Sequence, residues 1–238
     1  MHQIQVANID IDVVRKDIKN LHLAVYPPSG RVRIATPLKI DDEAVRLFAI
    51  SKLAWIKKRQ RQFSDQSRQS VRECVSRESH YFEGKRYLLR VIEHNGPPKV
   101  ELRNKAYLDL YVRNGSSQWQ RQKVLTEWYR QRLKEQIPGL VEKWQEIVGL
   151  ELKEWGVKQM KTKWGSCNAS AKRIWLNLEL AKKPRHCVEY IIVHEMVHFL
   201  ERHHNDRFVA YMNKFIPNWR FYKEELNRYP LSHMNRKY

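Results

Sequence analysis

Four of the ten histidines in this chain lie within eleven residues, between His194 and His204. Residues 194–198 read HEMVH, which has the form H-E-x-x-H. On a helix, residues i and i+4 lie one turn apart on the same face, so two imidazoles can hold one metal ion with the glutamate beside them. The spacing therefore predicts that His194 and His198 are metal ligands and that Glu195 is a general base.

The residues around this motif predict a buried helix with one open face. At 100° per residue, His194, Glu195 and His198 fall in one sector. The opposite side of the same helix is apolar and consists of Val188, Ile192, Met196, Phe199 and Leu200. Two histidines and a glutamate in such a helix would be costly to bury without partners. This pattern favours a metal site over an ordinary crowded helix end.

A catalytic zinc ion usually has three protein ligands and one open position. His203 and His204 follow the predicted helix end, and Glu224 and Glu225 lie further along the chain. The spacing alone does not choose among these four residues. Ligation by three histidines would favour Zn²⁺ and would also accept Ni²⁺, Co²⁺ or Mn²⁺.

The rest of the chain predicts the elements that must position these residues. Alternating apolar and polar residues predict strands over 9–37, with a turn at Pro27-Pro28-Ser29-Gly30, and further strands over 80–112. Helical spacing predicts helices over 41–63, 117–150, 206–215 and 219–229, with Pro138 able to kink or restart the second of them. The pattern over residues 152–184 predicts two short strands around a polar turn at 168–172.

These patterns predict an α+β protein with two regions. Residues 1–115 form a strand-rich α+β region, and residues 116–238 form a helical linker and a catalytic region that contains the H-E-x-x-H helix. The three cysteines are widely spaced without a C-x-x-C pair, which excludes a disulfide framework and a zinc ribbon. We interpret Cys187, beside His186, as a buried thiol at the start of a helix rather than as part of a second site.

The charge balance bears on partners and location. The chain has 45 Lys and Arg against 26 Asp and Glu, a formal net charge of +19. Such a field attracts phosphate polymers, anionic lipids or acidic proteins, although a basic surface also keeps a protein in solution. With no signal peptide and no run of 18 apolar residues, we expect no membrane association and a cytoplasmic location.

Several motifs together resemble one known family. They are K-x-K-W-G-S-C at 161–167, L-N-x-x-L at 176–180, Pro184, Y-I-I-V-H-E-M-V-H at 190–198, and His204 followed by Phe208. The sequence resembles the YgjP-like metal-dependent hydrolases, zincin-fold proteins related to the SprT-like and Wss-type proteases. The resemblance is close over residues 128–222 and looser over the first half of the chain.

The resemblance implies a ligand set and a fold. The third ligand in that family is the histidine matching His204, and His203 has no assigned role. The implied fold is a zincin-like core, in which a short mixed sheet packs against the ligand helix and the W-G-S-C strand lies near the cleft. Trp164, Gly165 and Ser166 are therefore expected cleft residues.

The function implied is that of a zinc metallopeptidase acting on a peptide, with Glu195 as the general base. Arg207, Tyr211 and Tyr222 are candidate donors to the oxyanion. Asn177, Asn205 and Asp206 are candidate acceptors for the second nitrogens of the histidines. We do not assign Ser166 or Cys167 as a nucleophile, because a metal-activated water makes one unnecessary.

Two other functions are compatible with the sequence. The first is a pyrophosphohydrolase acting on nucleoside triphosphates, favoured by basic residues near the motif but lacking a glycine-rich phosphate loop. Those basic residues are Lys158, Lys161, Lys163, Lys172 and Arg173. The second is a nucleic-acid-associated protease of the SprT-like type, which the net charge favours, although no DNA-reading motif is present.

Overall fold

The computed structural model describes residues 2–26, 29–65, 73–160 and 163–228. It divides into two compact units, one within Met1–Gln69 and one within Ser70–Ser232. Both units combine helices with small mixed sheets, which confirms the predicted α+β class. None of the described helices is both long enough and apolar enough to cross a membrane.

The first unit contains a four-stranded sheet in the order β1-β2-β4-β3. Its strands are β1 (His2–Val6), β2 (Ile9–Lys16), β3 (His22–Tyr26) and β4 (Arg31–Pro37). Strands β3 and β4 pair antiparallel, as the predicted hairpin requires, although Pro27 and Pro28 of its turn lie outside the described residues. Strand β1 has no counterpart in the sequence prediction. Its turn to β2 uses Ala7 and Asn8, both at positive φ, instead of glycine or proline.

The helix predicted over 41–63 is interrupted once. It forms α1 (Asp42–Ser51) and α2 (Leu53–Asp65), separated at Lys52. Asp41 caps α1, because its side chain accepts a hydrogen bond from the backbone N–H of Ala44. Helical periodicity identified the apolar face, but it does not report a one-residue break of this kind.

The second unit begins with a sheet in the order β5-β6-β8-β7 and a long helix. Its elements are β5 (Ser79–Phe82), β6 (Lys85–Glu93), β7 (Lys99–Arg103), β8 (Tyr107–Val112) and α3 (Gln118–Val148). Helix α3 continues through Pro138. Leu89 and Leu108 of the sheet belong to the same buried cluster as Leu125 and Leu133 of α3. The boundary predicted between residues 115 and 116 therefore lies inside this unit.

A smaller mixed sheet and three helices complete the second unit. The sheet has the order β10-β11-β9 and is formed by β9 (Glu154–Lys158), β10 (Gly165–Asn168) and β11 (Arg173–Asn177). The helices are α4 (Arg185–Val197), α5 (Asp206–Phe215) and α6 (Trp219–Arg228). The sequence predicted two strands here, and β9 is the third. The predicted combination of a short mixed sheet with the helix that carries the H-E-x-x-H motif is confirmed.

Asn177, at the end of β11, is fully buried and organises the chain that leads into β10. Its amide nitrogen donates to the carbonyl oxygens of Met160 and Lys163, at 3.0 and 2.7 Å. Its amide oxygen accepts from the backbone N–H of Glu179, the first turn of a short 3-10 helix over Leu178–Lys182. Only an amide can donate to two carbonyls and accept at the same site.

We predict that Asn177→Asp lowers the free energy of unfolding of the second unit by about 2–4 kcal/mol, because two buried carbonyls lose their donor and face a charge instead. Asn168→Asp is the matched control. Asn168 is exposed, and its amide oxygen accepts from the Ser170 hydroxyl and the backbone N–H of Ala171, as a carboxylate also can, so the change should cost less than about 0.5 kcal/mol. Urea unfolding followed by tryptophan fluorescence measures both, and equal effects would contradict this role for Asn177.

Candidate metal centre

Helix α4 fixes the orientation of the predicted motif. Val188, Ile192 and Met196 on one side of the helix are almost completely buried. This packing determines the rotation of α4 and turns His194 and Glu195 to the opposite side. His198 is the C-terminal cap of the helix, one turn after His194.

His204 reaches the same place from the loop between α4 and α5. Asn205 follows it and caps α5 by accepting from the backbone N–H of Phe208, which fixes where the loop ends. The buried ring of Phe208 then packs against all three imidazoles. Its centroid lies 5.0 Å from that of His194, 4.8 Å from that of His198 and 4.6 Å from that of His204. Phe208 is the apolar support of this histidine triad, His194, His198 and His204.

The nitrogens of the triad converge. One ring nitrogen from each histidine lies within 4.8 Å of the other two. The Nε2 atoms of His194 and His204 are 3.1 Å apart. Nδ1 of His198 lies 3.2 Å from the carbonyl oxygen of Glu201, to which it can donate, leaving Nε2 as an acceptor.

Burial favours the neutral form of these rings, which is the form that binds metals. Burial is the main cause that lowers the pKa of His194 to about 3, with the nearby His198 and His204 next. Burial also lowers the pKa values of His198 and His204. Three neutral imidazoles with converging nitrogens form a donor set that fits a divalent ion such as Zn²⁺.

The polar residues predicted to support the histidines have other partners. Asn177 holds the chain before β10, and Asn205 caps α5. Asp206 is the first residue of α5, where a negative charge suits the helix dipole. Nδ1 of His194 is buried and has no hydrogen-bond partner within the described part of the chain.

Glu195 belongs to α4, and its side chain lies against Gly165 of β10. The residue is only 6% exposed. A Cβ built on Gly165 would lie 2.6 Å from Oε1 of Glu195 and 2.8 Å from its Cγ, so the strand approaches this closely only because residue 165 has no side chain. Burial raises the pKa of Glu195 to about 8, and Lys163 opposes that shift. A divalent ion nearby would favour the ionised form further.

The triad and Glu195 open into a cleft of about 960 Å³, a volume at the upper end for small-molecule sites. Trp164, Gly165 and Ser166 line it, as expected. Arg207 and Tyr211 are not among the described residues that line it. The Arg207 guanidinium is 4.0 Å from Glu201, and the Tyr211 ring stacks on Phe215.

The third donor candidate, Tyr222, also packs elsewhere, with its ring against that of His186. Tyr222 is likewise not among the described residues that line the cleft. Of the basic residues noted in the sequence, Lys163 lines the cleft, and Lys161 lies outside the described residues.

The cleft is also lined by one phenol and three cationic side chains that the sequence analysis did not name as cleft residues. They are Tyr190, Lys163, Arg202 and Lys223. Tyr190 precedes His194 by four residues, so helical spacing could have placed it on the same face. Burial, and then the charge of Glu195, raise the pKa of Tyr190, so its hydroxyl stays protonated and can donate. Lys223 comes from α6, and no local pattern links it to the motif.

Cys167 lines the cleft beside Glu195. Burial, and then the charge of Glu195, raise the pKa of its thiol to about 11. Reactive cysteines have lowered pKa values, so this environment agrees with the decision not to assign a cysteine nucleophile.

Comparison with protein families gives one match that spans most of the chain. A family model described as YgjP-like, metallopeptidase domain, matches residues 19–229. No curated protein sequence matches the chain significantly.

Two solved structures of archaeal metallopeptidase zymogens are similar to part of the chain. Abylysin of Pyrococcus abyssi is 16% identical with a TM-score of 0.36, over 40% of this chain and 97% of that chain. Jannalysin of Methanocaldococcus jannaschii is 21% identical with a TM-score of 0.35, over 38% of this chain and 92% of that chain.

We predict that His204→Ala weakens divalent-metal binding by more than the roughly 10–100-fold typical of supporting residues, because one of three converging nitrogens is lost. His203→Ala is the matched control, since this neighbouring histidine is exposed and lies outside the triad. Calorimetric titration of the metal-free protein with Zn²⁺ measures the number of bound ions and the affinity of each in both variants. If His204→Ala and His203→Ala bind the same number of ions with the same affinities, His204 is not a ligand.

Proposed function

The chain belongs to the YgjP-like metallopeptidase family, and we propose that it hydrolyses peptide bonds with a zinc ion held by His194, His198 and His204 and with Glu195 as the general base. The observation that carries this proposal is the convergence of three imidazole nitrogens beside a buried carboxylate at the base of an open cleft. The family accounts for a metal-dependent hydrolase. The ligands, the base and the substrate are our assignments.

The ion, when bound, supplies Lewis acidity to a water molecule and to the scissile group. Glu195 takes the proton of that water at a carboxylate oxygen and passes it to the leaving amine. The packing of the Glu195 side chain against β10 keeps the carboxylate in one orientation and away from bulk solvent. The protonated hydroxyl of Tyr190 is a donor available to the developing negative charge.

Strand β10 offers a way to hold an extended peptide. It pairs with β11 and stands at the end of the strand order β10-β11-β9, so its other edge is unpaired by any described strand. The same strand, Gly165–Asn168, lines the cleft next to Glu195. A peptide added to this edge would form backbone hydrogen bonds and pass the triad without any requirement for a particular side chain.

Glu195→Gln tests the base. The amide keeps the size of the side chain and cannot accept the proton, so we expect kcat on a quenched-fluorescence peptide library to fall about 10²–10⁴-fold. Metal content by mass spectrometry should stay unchanged, because Glu195 is not a proposed ligand. Retained turnover with normal metal content would exclude Glu195 as the base, and loss of the metal would show that the variant disturbs the triad instead.

A second candidate function is hydrolysis of a phosphoanhydride in a nucleoside triphosphate. The observation that favours it is the charge of the cleft, because Lys163, Arg202 and Lys223 line it and Glu195 is the one acidic residue among its described lining residues. A polyphosphate would be attracted by these cations. The predicted association with nucleic acid stays a prediction.

The two candidates differ in their response to Lys223→Met, which keeps the length of the side chain and removes its charge. If the substrate is a nucleoside triphosphate, KM should rise about 10-fold or more, since a charge-assisted contact contributes about 1.5–3 kcal/mol. If the substrate is an uncharged peptide, KM should change less than about 2-fold. Steady-state assays of wild type and variant on both substrate classes decide between them. Lys172→Met, outside the lining residues, is the control.

A further inference from the structure

A second group of potential ligands lies at the opposite end of α4. His186 and Cys187 are in its first turn, and Glu225 comes from α6. Nε2 of His186 is 2.5 Å from Oε2 of Glu225, and Sγ of Cys187 is 3.8 Å from the same oxygen. One ligand atom from each of the three lies within 4.8 Å of the others.

The chemistry of these three side chains suits zinc. An imidazole, a thiolate and a carboxylate are the three kinds of protein ligand that Zn²⁺ takes, at about 2.0–2.3 Å. In a tetrahedral site, those bond lengths separate ligand atoms by roughly 3.3–3.7 Å. The distance between Cys187 and Glu225 is already near this range, and the pair of His186 and Glu225 needs to open by only about 1 Å.

We propose that His186, Cys187 and Glu225 form a second metal site, which takes a divalent ion of the zinc class with water as the remaining ligand. Solvent has access to the fourth position, because the side chain of His186 is 39% exposed and that of Glu225 is 23% exposed. This assignment replaces the sequence interpretation of Cys187 as a buried thiol only. It does not depend on the proposed function.

The charges of the three side chains suit a divalent ion. On binding, the thiol proton passes to solvent and the ion takes its place. An ion with two positive charges, one thiolate, one carboxylate and a neutral imidazole is electrically neutral, which reduces the cost of holding charges at a partly buried position.

The position of this site indicates a structural role. His186 precedes His194 by eight residues, which is about 12 Å along a helix. Paired catalytic ions lie only about 3.5–4 Å apart, so the two sites would not act on one substrate atom. The ion would instead fasten α6 to α4. Helix α6 carries Lys223, Leu226 and Asn227 into the cleft, so the ion would hold one wall of the candidate active site.

Titration of the metal-free protein with Co²⁺ tests the proposal. A thiolate bound to Co²⁺ gives an intense near-ultraviolet charge-transfer band, whereas three histidines do not. We expect two Co²⁺ per chain and a thiolate band that saturates with one of them. Cys187→Ser should lose the band and one ion, and Glu225→Gln should weaken the binding of the ion that gives the band about 10-fold or more.

Two controls separate this site from the histidine triad. Cys167→Ser removes the thiol nearest the triad and should keep the band. The double variant His194→Ala/His198→Ala should lose the other ion and keep the band, so failure of the triad and failure of this site give different results. The proposal is overturned if wild type binds one ion without a thiolate band, or if the band survives Cys187→Ser.

Discussion

The close approach of β10 to α4 at Gly165 is the constraint on which the candidate active site depends. The absence of a side chain at this residue lets the strand lie against Glu195. That contact excludes water from the carboxylate, raises its pKa and fixes its direction. It also places β10 in the lining of the same cleft as the histidine triad. One backbone approach therefore sets the environment of Glu195 and the position of β10, the strand on which we propose that an extended peptide lies.

Two residues of the triad could be predicted from the sequence because the relation between them is local. His194 and His198 are one helical turn apart, and the apolar face behind them predicted the rotation that the structure shows. His204 required more. Spacing alone did not choose between His204 and its neighbour His203, and only the resemblance to a family distinguished the two. The structure adds the physical difference, since the capped start of α5 and the ring of Phe208 place His204, and not His203, against the other two imidazoles.

Contacts between distant segments could not be predicted in the same way. Glu225 is 38 residues from Cys187, and α6 also carries Lys223 to the cleft, so neither relation appears in any local spacing. Arg207 and Tyr211 show the converse, because they follow His204 closely in the sequence but are not among the described residues that line the cleft. The secondary structure shows the same contrast between features that local spacing reports and features that it does not. Periodicity predicted helix and strand types, whereas the turn at Ala7-Asn8 and the break at Lys52 depend on single backbone conformations that periodicity does not report.

The positive charge of the cleft bears both on the binding of the proposed metal ion and on the choice of substrate. Lys223 is one of the groups that lower the pKa of His194, so it helps keep that imidazole neutral and able to bind an ion. The same positive charge would repel a bound ion, and Lys163 and Arg202 would add to that repulsion. Glu195, once ionised, would offset only part of it. If a divalent ion occupies the triad, three cations and one carboxylate share the cleft with it, and this charge would attract substrates that bring negative charge of their own, such as acidic peptides or phosphates.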